Sequence, residues 1–151
     1  MLYGCVVGTI PTFLCSITTL WSLTLYSNSF TGTIPTEFAK IKILGYWDIS
    51  HNRLVGPLPT ALGNLKYLHS FYLQNNYLTG SPWSTLIAMT SMQAVNLEYN
   101  CFSGTIPPDI GGMTRLAFLG MGNTHIGGSI PSTIGSLTAL TEYVRLDPPS
   151  A

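Results

Sequence analysis

Apolar residues recur along the chain at fixed positions, and the whole pattern repeats at one constant interval. Within each repeat, three apolar positions are spaced three residues apart, as in Leu62, Leu65 and Leu68, and this spacing predicts a short helical stretch. The next two apolar positions, such as Phe71 and Leu73, are two residues apart, which is the period of a strand. Each repeat is therefore predicted to contain one helical turn and one strand.

A glycine opens each of six repeats, without insertion or deletion between them: Gly8, Gly32, Gly56, Gly80, Gly104 and Gly128. In five repeats, Ile or Leu and then Pro follow this glycine, and only the fourth repeat departs from the pattern, with Pro82 and Trp83. Glycine suits a turn with positive φ, and proline suits the first position of a helical turn. We assign residues 8–144 to six repeats, residues 1–7 to a partial or degenerate N-terminal repeat and residues 145–151 to a degenerate C-terminal end.

An asparagine follows the strand positions in four repeats: Asn28, Asn52, Asn76 and Asn100. The chain must bend sharply after the strand, which leaves interior backbone groups that neither helix nor sheet can pair. An asparagine side chain offers both a donor and an acceptor for such groups. We therefore expect these residues to form a buried structural ladder rather than a binding site.

The order L-x-x-L-x-L-x-x-N-x-L at a period of about 24 residues is that of leucine-rich repeats. Segments such as NSFTGTIP at residues 28–35 resemble the plant-type leucine-rich repeat family, as in ectodomains of receptor-like kinases and receptor-like proteins and in polygalacturonase-inhibitor-like proteins. The resemblance implies an α/β repeat solenoid. It would be a right-handed superhelix with a concave parallel β-sheet and short 3-10-type helical turns on its convex side.

Between the repeating leucines of the strand segments, the residues vary from repeat to repeat and should face outward on the concave sheet. Tyr and Trp there offer large contact areas with polar tips, a composition typical of recognition surfaces. The candidate ligand-binding residues are Trp21, Tyr26, Tyr46, Asp48, His51, His69, Tyr72, Gln74, Asn96, Glu98, Tyr99 and Phe118. The alternative is that an outward sheet surface accepts any residue that favours strands.

The composition argues against several kinds of partner and chemistry. Charged residues make up 8% of the chain and cancel to no net charge, which gives nucleic acid nothing to attract it. Asp48 and Glu98 should lie about 12 Å apart by strand and sheet spacings, which exceeds the separation of paired glycosidase carboxylates. The histidines are dispersed, so we expect no catalytic residue, no metal and no cofactor.

The three cysteines do not settle the compartment. Cys5 and Cys101 share a position four repeats apart, about 19 Å, which is too far for a disulfide. Cys15 has only Cys5 as a conceivable partner within the chain, so at least one thiol remains unpaired.

The apolar N-terminal segment could be mistaken for a signal peptide, but Ile10, Leu14, Leu23 and Leu25 fall at repeat positions and no basic segment precedes them. Both ends lack the cysteine-paired caps that the resemblance implies for extracellular members. We interpret the chain as a fragment of a larger extracellular or cell-surface protein. It would contact a membrane only through a segment absent from this chain. A complete chain of this kind should self-associate through its exposed ends.

The leading hypothesis is a noncatalytic recognition module that binds a protein, peptide or glycan on its concave face. A second hypothesis is an ice-binding surface formed by two Thr/Ser columns on the flank. These columns contain Thr9, Thr33, Pro57, Ser81, Thr105 and Ser129, and Thr12, Thr36, Thr60, Ser84, Pro108 and Ser132. A third is a structural spacer without a ligand.

Overall fold

A computed structural model describes residues 6–141, in which each repeat winds once around a common axis and stacks on the next. Eleven short strands occur in this range. They are β1 (Val7–Thr9), β2 (Ser22–Thr24), β3 (Ser29–Gly32), β4 (Tyr46–Asp48), β5 (Arg53–Gly56), β6 (Ser70–Tyr72), β7 (Tyr77–Gly80), β8 (Ala94–Asn96), β9 (Cys101–Thr105), β10 (Phe118–Gly120) and β11 (His125–Gly127).

The even-numbered strands form the expected parallel sheet, in the order β2-β4-β6-β8-β10. Its register follows the sequence period, since Leu23 pairs with Trp47 and Trp47 with Phe71. Residues at equivalent positions in successive repeats are therefore direct neighbours across this sheet. This arrangement allows side chains from several repeats to form one continuous surface.

A second parallel sheet, which the single-strand prediction missed, runs along the flank in the order β1-β3-β5-β7-β9-β11. Each repeat thus contributes two strands. The register of the flank sheet differs from the sequence period, since Thr9 pairs with Thr31 and not with Thr33, its equivalent in the next repeat. Equivalent residues of successive repeats are consequently not cross-strand partners on this flank, which is a consequence of tertiary packing that the repeat pattern does not contain.

Helical turns form the convex side, as the three-residue spacing of apolar positions predicts. Five of them are 3-10 helices, at Thr12–Ser16, Thr36–Lys40, Thr60–Asn64, Pro108–Gly112 and Ser132–Ser136. The fourth repeat instead forms a short α-helix, Trp83–Ile87. Its proline stands one residue earlier than in the other repeats, and Pro82 adopts a helical conformation with φ −83° and ψ −13°. The irregular sequence of this repeat therefore changes the type of helical turn.

The core is a continuous column of apolar side chains between the two sheets and the convex turns. In the interior repeats, Leu44, Leu68 and Leu116 are completely buried. Towards the ends of the described range, core positions become exposed to solvent. Ile17 is 45% exposed, whereas Ile41 at the equivalent position of the next repeat is buried, and Ile130 is 52% exposed, whereas its equivalent Ile34 is buried. A repeat buries its apolar residues against neighbours on both sides, and the first and last repeats of the described range have a described neighbour on only one side.

The asparagines bind the backbone of the turn that follows each concave strand. In Asn76, which is buried, Oδ1 accepts a hydrogen bond from Leu54 N at 2.9 Å, and Nδ2 donates to the carbonyls of Ile49 and Leu73 at 3.0 Å each. Asn52 and Asn100 make equivalent bonds. Asn28 lies at the end of the row, where its Oδ1 accepts from Val6 N at 3.3 Å. Together the four side chains link successive repeats through otherwise unpaired backbone groups.

Backbone conformation repeats with the sequence. The six glycines that open the repeats all have positive φ, such as +81° at Gly56, which confirms the reason given for their recurrence. A second left-handed position recurs at Ser27, His51, Asn75, Tyr99 and Asn123, with φ between 52° and 58°. The first four directly precede the ladder asparagines, and Asn123 precedes Thr124. At this residue the chain leaves the concave strand and turns towards the flank.

Candidate binding surface

Alternation along the concave strands separates the core from the candidate surface. In β4, Trp47 is fully buried against Phe38 and Phe71, with ring centroids 4.7 and 5.0 Å apart. Its neighbours Tyr46 and Asp48 point the other way and are half-buried. Each buried aromatic residue thus anchors two outward residues of its strand on a rigid base.

An aromatic pair spans the start of the concave strands. Trp21 and His69 come from repeats on either side of Gly45, and their ring centroids are 5.5 Å apart. A Cβ atom at Gly45 would lie 2.8 Å from Nε1 of Trp21 and 3.2 Å from Nε2 of His69. The two rings can therefore meet only because residue 45 has no side chain. The sequence signal was a glycine in a column whose neighbours are Trp and His.

Two tyrosines and a carboxylate form the centre of the surface. The rings of Tyr46 and Tyr72 lie 5.7 Å apart and are tilted by 50°. Asp48 stands beside them, and its Oδ1 accepts hydrogen bonds from Ser50 N at 3.0 Å and Ser50 Oγ at 2.7 Å. Partial burial raises the pKa of Tyr46, and negative charge on Asp48, Tyr72 and Tyr26 raises it further. Burial and the neighbouring charges therefore both favour the protonated form of the Tyr46 hydroxyl.

A second polar group lies two repeats further along. Asn96 Oδ1 accepts from Glu98 N at 2.9 Å, and Asn96 Nδ2 donates to Glu98 Oε2 at 3.3 Å. Gly120 makes room for this pair, since a Cβ there would lie 2.7 Å from Asn96 Oδ1. Phe118, half-buried, stands on the same strand as Gly120.

The other candidate residues lie towards the rim. Trp21 and Tyr26 are 57% and 46% exposed at the first described concave strand. His51 and Tyr99 occupy the left-handed positions where the chain leaves the sheet, and both are exposed. Gln74 is half-buried, and its Oε1 has no hydrogen-bond partner among residues 6–141. The candidates therefore form a central group and a rim rather than one uniform patch.

A small cleft opens at this rim, and the sequence reasoning did not identify it. The cleft has a volume of about 210 Å³ and is lined by Asn52, Asn75, Asn76, Tyr77 and Tyr99. Tyr77 belongs to the flank sheet and is 58% exposed, so only the folding of strand onto flank brings it beside Tyr99.

Reactive groups are dispersed in the described part of the chain. No group of three or more His, Cys, Asp or Glu residues there could hold a metal ion. Of the cysteines within residues 6–141, Cys15 and Cys101 are both free, while Cys5 lies outside that range. Burial raises the pKa of the Cys15 thiol, and the charge of Glu37 raises it further. An activated cysteine requires the opposite shift.

None of the helices between residues 6 and 141 combines the length and the apolar character needed to cross a membrane.

The geometry defines a repeat solenoid with a varied concave surface, and comparison with known proteins gives its family. The leucine-rich repeat model matches residues 19–41, 48–65 and 91–113. The plant peptide hormone receptor RGFR1, solved in complex with RGF2, is 36% identical with a TM-score of 0.84, and the match covers 89% of this chain and 22% of the receptor chain. The chain belongs to the plant-type leucine-rich repeat family.

Other solved structures agree. The ectodomain of the Arabidopsis receptor kinase HAESA, in complex with an extended IDA peptide hormone, is 35% identical with a TM-score of 0.83, covering 89% of this chain and 23% of that one. The BIR2 ectodomain from Arabidopsis thaliana is 33% identical with a TM-score of 0.69, covering 74% and 58%. The chain thus spans about a quarter or less of the hormone-receptor chains. No curated protein sequence matches it.

Proposed function

We propose that this chain is a noncatalytic recognition module of a larger extracellular or cell-surface protein and that it binds a protein or peptide on its concave sheet. The observation that carries the proposal is the central group of Tyr46, Tyr72 and Asp48, held by buried neighbours in the same strands. Half-buried tyrosines on a rigid base lose little entropy when a ligand covers them.

The comparisons support a peptide or protein ligand over the other candidates. Among the similar structures, RGFR1 and HAESA are solved with peptide hormones. A glycan remains a candidate ligand on the strength of the aromatic residues alone. A spacer role would leave the Trp21–His69 pair and the Tyr46–Tyr72 pair without a purpose.

The flank offers less to an ice lattice than the sequence columns suggested. Thr9 pairs with Thr31 rather than with Thr33, because partner residues in the flank sheet are separated by fewer residues of sequence than one full repeat. Thr12, Thr36 and Thr60 begin convex helical turns rather than strands. We expect a thermal hysteresis assay to show no activity, and clear hysteresis would favour the ice-binding alternative.

The proposal is tested with a displayed random-peptide library and a glycan array, each probed with the wild-type chain and with a Tyr46→Ala/Tyr72→Ala variant. Thermal unfolding checks that the variant is folded. The matched control is Phe13→Ala/Tyr67→Ala, since these aromatic residues are 70% and 66% exposed and lie off the concave strands. We expect selected ligands to lose binding to the first variant only. Equal binding by all three proteins would refute a concave site.

A further inference from the structure

The charges of the described chain are segregated by face. The concave surface is formed by residues 21–27, 45–51, 69–75, 93–99 and 117–123, and these contain two carboxylates, Asp48 and Glu98, but neither lysine nor arginine. The basic residues of the described range lie elsewhere, with Lys40 on a convex turn and Arg53 on the flank sheet. A chain without net charge therefore presents a concave face of negative charge.

Asp48 is arranged to offer one oxygen to a ligand. Both hydrogen bonds from Ser50 go to Oδ1, which fixes the orientation of the carboxylate. Within residues 6–141, Oδ2 receives no hydrogen bond from the protein, and no lysine or arginine forms an ion pair with it. A half-buried carboxylate held in this way is well placed to accept a charge-assisted hydrogen bond.

The rings beside Asp48 suit the same type of group. The rings of Tyr46 and Tyr72 are tilted by 50° with centroids 5.7 Å apart, and Tyr72 is the cross-strand partner of Asp48. A lysine ammonium or arginine guanidinium is attracted to the face of an aromatic ring, and its alkyl chain packs on the rest of the ring. Burial is the main cause of the raised pKa of Tyr46, and Asp48 is the largest of the charge effects that add to it.

Resting on the function proposed above, we infer that the concave face selects a basic peptide, with a lysine or arginine side chain packed against the rings of Tyr46 and Tyr72 and its charge on Asp48. Glu98 provides a second negative position two repeats along the sheet. The two carboxylates are about 12 Å apart by strand and sheet spacings, and an extended peptide covers this distance in three to four residues at about 3.3 Å per residue. The preferred ligand therefore carries two basic residues at that separation.

Acidic ligands are disfavoured by the same surface. A peptide rich in Asp or Glu, or an oligosaccharide of uronic acids, would bring like charge to Asp48 and Glu98 without a lysine or arginine on this face to receive it. Neutral sugars would meet the aromatic rings but would leave both carboxylates without a partner of opposite charge.

The test is selection from a displayed random-peptide library with the wild-type chain, followed by affinity measurements on synthetic peptides with blocked ends. We expect enrichment of Lys and Arg among binders, and about tenfold or greater loss of affinity for Asp48→Asn, in line with the loss of a charge-assisted hydrogen bond. Replacing the peptide arginine with citrulline, a neutral group of the same shape, should cost a similar factor. Affinity should also fall as salt increases.

Three variants separate the charge effect from folding. Glu37→Gln removes a carboxylate from a convex turn and should leave affinity unchanged. Tyr46→Phe keeps the ring face and should retain most of the binding, whereas Tyr46→Leu should lose it. Thermal unfolding of each variant shows whether the fold is intact.

The results distinguish this inference from the broader proposal. Binders that depend on Tyr46 and Tyr72 but show no basic enrichment would overturn the inference and leave the recognition module standing. Tyrosine-dependent binding confined to neutral or acidic glycans would do the same. A complete lack of binders in the peptide library and on the glycan array would overturn this inference and the recognition module together.

Discussion

The asparagine row makes a quantitative prediction about how the repeats are held together. In Asn76→Ala, the N–H of Leu54, a residue that is completely buried, loses its hydrogen-bond partner at 2.9 Å. The carbonyls of Ile49 and Leu73 lose one donor each, but Asn52 and Asn100 still donate to them at 3.1 and 3.0 Å. The cost therefore comes mainly from one orphaned donor.

Leaving one buried donor unpaired costs about 1–3 kcal/mol, and the two weakened carbonyls add about 1 kcal/mol, so Asn76→Ala should lower the free energy of unfolding by about 2–4 kcal/mol. The matched control is Asn28→Ala. The hydrogen bond that Asn28 Oδ1 accepts from Val6 N at 3.3 Å is exposed to solvent, so water can replace the amide. We expect that variant to lose less than about 1 kcal/mol.

Urea titration followed by circular dichroism measures both free energies of unfolding, and equal slopes would show that the two variants unfold in the same way. The difference between them is the informative quantity, since both remove the same amide. If Asn76→Ala and Asn28→Ala agreed within about 0.5 kcal/mol, satisfaction of buried backbone groups could not be the role of this row.

Two further predictions concern a turn and a titration. Gly56→Ala should lower the free energy of unfolding by about 1–2 kcal/mol, because residue 56 has φ +81° and a new Cβ would lie 3.0 Å from Thr33 Cγ2. The control Gly112→Ala has open space around the new Cβ and should leave the free energy of unfolding unchanged. Equal urea midpoints for the two variants would contradict this prediction. The raised pKa of Tyr46 means that the folded state keeps the proton more tightly than the unfolded state. Its stabilising contribution is complete below about pH 10, the ordinary tyrosine value, and is lost as pH rises through the folded-state pKa. Tyr46→Phe should flatten that alkaline loss in unfolding measured against pH, and an unchanged profile would argue against the shift.

Several features could be predicted from particular residues. The column that contains Leu44, Leu68 and Leu116 predicts burial correctly, because a strict period imposes the same environment on each interior repeat. The recurrent glycines predict positive φ for the same reason. The shifted proline in the fourth repeat marked an irregularity, but the α-helical form of Trp83–Ile87 followed only from the conformation that Pro82 adopts.

The candidate surface was predictable only in part. Alternation along β4 and β6 indicates which residues face outward, since side chains in a strand point to opposite faces in turn. It does not indicate that Trp21 reaches His69 across Gly45, or that Ser50 fixes Asp48, because those contacts depend on rotamers and on residues from different repeats.

The sequence alone determined the period, the solenoid, the core columns and the set of outward residues, since each is a local pattern copied from one repeat to the next. The tertiary structure decided the second sheet and its shifted register, the cleft between Tyr77 and Tyr99, and the grouping of Tyr46, Tyr72 and Asp48. The physical reason is that a repeating sequence specifies the environment of each residue within its own turn. The distances between turns are set by how neighbouring repeats pack and stagger.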